Sequence, residues 1–160
     1  MTFPSPFVWS SRRIRRRHRR CWLGFDAMSA ERASYLDSSA IVKLAVAEQE
    51  SAALRVYLRR RRPLVSSALA RTEVGRALAP YGPAALRRGA QALARVDLVR
   101  VSDRVLDAAA RLLPADLRSL DAIHLATAQR LGVSLARVVT YDERMFAAAE
   151  AMGWTVVAPS

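Results

Sequence analysis

Apolar positions follow two rhythms that alternate along the chain. Short, densely apolar runs read as strands: Ala33 to Leu36, Leu64-Val65-Ser66, Leu98 to Val101, Val138-Val139-Thr140 and Trp154 to Val157. Between them, apolar residues recur at helical spacing. Ser38 or Ser39 caps a helix through Ile41, Leu44 and Val46, and Glu50 to Arg62 forms a second with Leu54, Val56, Tyr57 and Leu58 inward. Ser67 opens a third that runs past Glu73 to a stop at Pro80-Tyr81-Gly82-Pro83. Further helices are expected over Ala84 to Val96, Asp103 to Leu113, Ser119 to Leu131 and Glu143 to Met152, with Gly132 and Gly153 closing the last two. Such alternation predicts an α/β fold, a central parallel sheet with helices on both faces.

At 160 residues and 52% hydrophobic content the chain supports one ordinary core. No apolar run approaches the roughly 18–20 residues of a membrane helix, and a single cysteine, Cys21, cannot close an internal disulfide. The expected setting is a reducing cytoplasm. A formal charge of +12 favours a polyanionic partner. That charge is unevenly spread: residues 1–34 carry 8 Arg against 2 acids, mostly in Arg12 to Arg20, and self-repulsion there opposes folding. This segment reads either as a basic nucleic-acid-binding arm or as codons upstream of a true start at Met28, the second reading being favoured. The folded unit is expected over residues 35–158.

Four acids then stand out among only 14. Asp37 and Asp142 follow predicted strands, where ligands of a parallel sheet collect. Asp121 falls early in a helix, and Glu73 two turns into another. Gathering carboxylates in one cleft costs repulsion unless a cation neutralises them. Mg²⁺ or Mn²⁺ suits such oxygen ligands and can orient water against a phosphodiester. Ser38, Ser39 and Thr140 are read as hydroxyls that hydrogen-bond these carboxylates. Metal-free RNA cleavage would want paired imidazoles, and only His18 and His124 exist.

Each acid also has an ordinary structural reading. Asp142 can cap the helix at Glu143, Asp121 can be a first-turn acid, and Glu73 can pair with Arg71 or Arg76. Asp37 has fewer structural duties at a buried strand end. His124 reads as a satisfied helix histidine rather than a ligand, and Arg59 to Arg62 as a solvated helix end. A receiver or dehalogenase-type phosphotransfer domain fits poorly, because Ser39 replaces the needed aspartate and Lys43 is the only lysine. No glycine-rich phosphate loop is present. The serious alternative is a non-catalytic nucleic-acid-binding module of the same fold.

Taken in order, Tyr35-Leu36-Asp37-Ser38-Ser39-Ala40, Thr72-Glu73-Val74, Leu120-Asp121-Ala122-Ile123-His124-Leu125-Ala126 and Val139-Thr140-Tyr141-Asp142-Glu143 resemble a PIN domain of the VapC type. The resemblance spans residues 34 to 158. It implies a PIN-like three-layer sandwich and a Mg²⁺- or Mn²⁺-dependent endoribonuclease, the toxin of a type II toxin-antitoxin pair. Its acids map onto Asp37, Glu73, Asp121 and Asp142, with Asp37 and Asp121 the foremost metal ligands. It further implies a homodimer, a VapB-like antitoxin that occupies the toxin's groove, and structured RNA of the tRNA or rRNA class as substrate. In the family the first acid lies near the start, so its place at residue 37 here favours the late start.

Overall fold

The computed structural model describes residues 32–115 and 117–160, so both readings of the basic arm lie outside the described residues. Strands and helices alternate as β1 (Ala33–Leu36), α1 (Ser38–Ala45), α2 (Ser51–Leu58), β2 (Leu64–Ser67), α3 (Ala70–Leu78), α4 (Gly82–Leu93), β3 (Asp97–Val99), α5 (Asp103–Ala109), α6 (Ser119–Gln129), β4 (Leu135–Val139), α7 (Glu143–Ala151) and β5 (Val156–Val157). All strand pairings are parallel, in the order β3-β2-β1-β4-β5.

Period-two alternation distributes the strand side chains between two faces. Leu36, Leu64 and Val139 pack with Ile41 of α1, Leu54 of α2, Val74 and Leu78 of α3 and Ala85 of α4. Tyr35, Val65 and Val138 point the other way, onto Leu125 and Ala128 of α6 and Met145 and Ala148 of α7. Val105 and Ala109 of α5 then cover Ala122 and Ala126 of α6. Helices therefore cover both faces, giving the three-layer α/β sandwich that the alternation predicts.

Several boundaries differ from the sequence-based expectation. The second helix covers Ser51–Leu58 rather than Glu50 to Arg62, and Val56, expected inward, is exposed; Pro63 disfavours helical backbone only at Arg62, the residue before it. The third begins at Ala70, since Ser67 forms a turn in which its Oγ accepts from Leu69 N at 3.2 Å. The fifth ends at Ala109 instead of Leu113. The α3 and α4 segments are joined by a single 3₁₀ turn at Ala79–Tyr81.

Arg59 to Arg62 is more than a solvated end. Arg61 stacks on Tyr57 at 3.7 Å and donates to the Tyr57 carbonyl at 2.7 Å. Arg62 donates to Arg95 O, Arg55 to Leu44 O and Arg88 to Ala45 O. These guanidinium groups thus satisfy carbonyls at the carboxyl ends of α1, α2 and α4, where cations also suit the helix dipoles.

Gly89 allows α4 to approach α3 closely: a Cβ there would overlap Leu78 Cδ1 and crowd Val74 Cγ1. Both leucine and valine are buried, so neither can move into solvent. Gly89→Val is expected to destabilise the protein by about 1–3 kcal/mol through overpacking, lowering Tm by several degrees with the circular dichroism spectrum retained. An unchanged Tm would mean that the two helices separate freely.

Candidate active site

Strand β1 pairs with β2 on one side and β4 on the other, so strand order reverses beyond its carboxyl end. An open parallel sheet forms its cleft at such a point. Four helix N-termini bring acids to this edge. Asp37 is the N-cap of α1 and Asp142 the N-cap of α7, while Glu73 and Asp121 lie in the first turns of α3 and α6. The positive ends of these helices favour carboxylates there. Glu73 is accordingly a first-turn residue, not one lying two turns in, because α3 starts at Ala70.

Asp37 is buried and divides its work between its two oxygens. Oδ2 accepts from Ser39 N at 3.2 Å, Ser39 Oγ at 2.7 Å and Thr140 Oγ1 at 3.1 Å. Oδ1 lies 3.8 Å from His124 Nε2. The cap of α1 is therefore Asp37 itself rather than Ser38 or Ser39, and this acid carries a structural duty that its strand-end position does not suggest. Ser39 and Thr140 also join the two strand ends. Tyr141 N donates to Ser39 Oγ at 3.0 Å, and Asp142 N to Thr140 Oγ1 at 3.1 Å. Asp142 in turn accepts from Arg144 N and Met145 N through Oδ1 alone.

Glu73 pairs with neither Arg71 nor Arg76 in the described contacts. Its Oε2 accepts from Ser38 Oγ at 2.5 Å and lies 2.7 Å from His124 Nε2. Burial pushes its pKa up, but the hydrogen bonds from His124 and Ser38 outweigh this and hold it below the usual carboxylate range. An ionised carboxylate only accepts, so His124 Nε2 carries the proton and donates. His124 is buried, with Nδ1 2.8 Å from the hydroxyl of Tyr35, itself completely buried. Burial foremost, then the charge of Asp37, pushes the Tyr35 phenol well above its ordinary pKa. It stays protonated and supplies the donor for Nδ1. The sequence reading of His124 as a satisfied helix residue holds, but its partners are groups of this cleft, and Tyr35 was not among the expected site residues. The available signals were local: His124 lies one turn after Asp121, and Tyr35 two residues before Asp37 along β1.

Asp121 differs from the rest. Its Oδ2 is buried without a hydrogen-bond partner. Its pKa is raised, by burial first and then by the charges of Asp142 and Asp37, against a smaller opposing effect of Arg118. A desolvated, unpartnered oxygen beside two more carboxylates is a chemical fit for a hard divalent cation. Asp37, Asp121 and Asp142 would hold it, each offering an oxygen not taken by the protein. Among the described residues, no three acidic, cysteine or histidine side chains already stand at ion-binding separation, and Glu73 is held towards His124.

The family model described as PIN domain matches residues 34–151. Over 128 residues the chain is 66% identical to Ribonuclease VapC46 of Mycobacterium tuberculosis, covering 80% of this chain and 98% of that protein. It is 44% identical over 129 residues to Ribonuclease VapC35 of the same species, covering 78% and 96%. The chain belongs to the PIN-domain family, in its VapC branch. Two solved structures share the fold: a toxin-antitoxin complex from Klebsiella pneumoniae (TM-score 0.61, 23% identity, 79% of this chain and 98% of that one) and Mycobacterium tuberculosis VapC20, a sarcin-ricin-loop-cleaving toxin (TM-score 0.62, 18% identity, 79% and 99%).

Proposed function

We propose that this VapC-family ribonuclease toxin cleaves structured RNA with a divalent cation, Mg²⁺ or Mn²⁺, held by Asp37, Asp121 and Asp142, with Glu73 completing the acidic cleft. The observation that carries the reading is the buried, unpartnered Asp121 Oδ2 at a point where four acid-bearing helix N-termini meet. When bound, the cation supplies charge neutralisation and a water of lowered pKa as nucleophile. Ser39 and Thr140 fix Asp37 so that Oδ1 remains for the cleft. The chain's net positive charge draws the RNA backbone to an otherwise acidic site.

The partners follow from the same membership: a VapB-like antitoxin that blocks the cleft, and a second copy of the chain. Exposed Leu106 and Leu113 line an apolar recess between α5 and α6 that supports self-association. No helix among the described residues is long and apolar enough to cross a membrane, and the proposed location is the cytoplasm, where the RNA lies.

Purified protein incubated with total tRNA and rRNA tests this reading. EDTA should abolish cleavage, and added Mn²⁺ or Mg²⁺ should restore it. RNA retention without cleavage under every metal condition would favour the non-catalytic binding module. Persistent cleavage in EDTA would reject the metal mechanism.

A further inference from the structure

We infer that His124, braced from behind by Tyr35, is the positioning residue that fixes Glu73 in the cleft. Glu73 Oε2 takes both available protein bonds, from Ser38 at 2.5 Å and His124 at 2.7 Å. Only Oε1 is left without a protein partner to face the cleft, and its direction is set by the imidazole. Ser38 Oγ also lies 3.3 Å from His124 Nε2, closing a triangle of three side chains from α1, α3 and α6.

The ring itself has little freedom. Tyr35 meets it edge-on, with centroids 6.0 Å apart and planes at 78°, and the phenol hydroxyl bonds Nδ1. That bond selects the tautomer whose Nε2–H points at Glu73. Because His124 follows Asp121 by one turn on the same face of α6, one helix sets both the unpartnered acid and the clamp on Glu73. The imidazole N–H also lies between Glu73 and Asp37, 3.8 Å from Asp37 Oδ1, and so offsets the repulsion of two carboxylates across the cleft.

A purely structural histidine would affect folding and leave Glu73's contribution alone. The activity readout rests on the metal-dependent ribonuclease reading, whereas the binding readout rests on its cation site alone and needs no RNA cleavage. In the full chain, His124→Leu should lower kcat on tRNA by roughly 10–100-fold, the usual effect of losing such an orienting partner. KM should stay within about twofold, since no RNA contact is removed, while the Kd for Mn²⁺ measured by calorimetry rises. His124→Gln, which keeps a side-chain N–H near the Nε2 position, should recover much of the loss. In a Glu73→Gln background, His124→Leu should add almost nothing, because its effect passes through Glu73.

Multiplying effects in that double variant, or a folded His124→Leu protein with wild-type kcat and Mn²⁺ affinity, would overturn the assignment. Should His124→Leu fail to fold, Tyr35→Phe decides: a several-fold loss of kcat that vanishes in the Glu73→Gln background supports it, and equal losses in both backgrounds reject it. If the wild type cleaves no RNA with any metal, the ribonuclease reading fails. The Mn²⁺ affinities then still decide the inference: weaker binding by the Tyr35 and His124 variants sustains it, and unchanged or absent binding ends it.

Discussion

Asp121→Asn is expected to abolish most RNA cleavage while making the metal-free protein more stable at neutral pH. Lewis-acid stabilisation by a bound cation is worth several kcal/mol, and each ~1.4 kcal/mol is tenfold in rate, so kcat should fall by about 10²–10³-fold. RNA affinity should be similar or higher, because a negative charge leaves the path of the phosphates. The stability gain follows from the sign of the pKa shift. Burial, Asp142 and Asp37 raise the Asp121 pKa in the folded state. Ionisation therefore costs more folded than unfolded, and the penalty is absent below the ordinary carboxylate pKa and complete above the raised one. Asn removes it. Asp121 is partly exposed, so solvent screening limits the gain to less than about 1 kcal/mol, a rise in Tm of at most ~2–4 °C. Melting curves at neutral and acid pH check this: the difference between variant and wild type should disappear on acidification, and an equal gain at all pH values would assign it to packing instead. Undiminished cleavage by purified Asp121→Asn protein would remove this acid from the catalytic set.

The layer architecture was legible because burial on both faces leaves its mark on composition: Val65 and Val138 face one layer, Leu64 and Val139 the other, and each run reads as continuously apolar. Helix ends were less so. Ser67 resembles a cap and does accept from Leu69 N, yet the hydrogen-bonded helix starts at Ala70. Glu73 consequently moves from mid-helix to the first turn, where its side chain reaches the sheet edge. The four acids could be picked out by their position relative to strands and helices. Their division of labour could not, since it depends on contacts between residues far apart in the chain: His124 with Glu73 at a separation of 51 residues, Tyr35 with His124 at 89, and Thr140 with Asp37 at 103. Local pattern carries no record of such pairs. The same blindness hid the capping role of Asp37, because the adjacent serines are equally good caps by residue type.

That dual role makes Asp37 separable by two substitutions at one position. Asp37→Asn retains a side-chain oxygen able to accept from Ser39 N, so α1 keeps its cap and the hydroxyls of Ser39 and Thr140 keep a partner. The charge that would hold a cation is lost, and cleavage should fall by about 10²–10³-fold, on the same scale as for Asp121→Asn, with Tm near that of the wild type. Asp37→Ala should lose the same activity and stability as well. Removing the cap costs about 0.5–2 kcal/mol, and leaving the buried Thr140 hydroxyl and the half-buried Ser39 hydroxyl short of an acceptor adds roughly 1–3 kcal/mol. A total near 2–4 kcal/mol corresponds to a fall in Tm of roughly 5–15 °C. Calorimetric melting of both variants, each assayed on the same RNA, separates the two duties. Equal melting temperatures for Asn and Ala would show that the contacts at Oδ2 contribute nothing net to the fold, whereas cleavage retained by the Asn variant would show that the charge at the end of β1 is dispensable. The second result would be the more damaging, because Oδ1 of Asp37 is the oxygen that Ser39 and Thr140 leave free for the reaction.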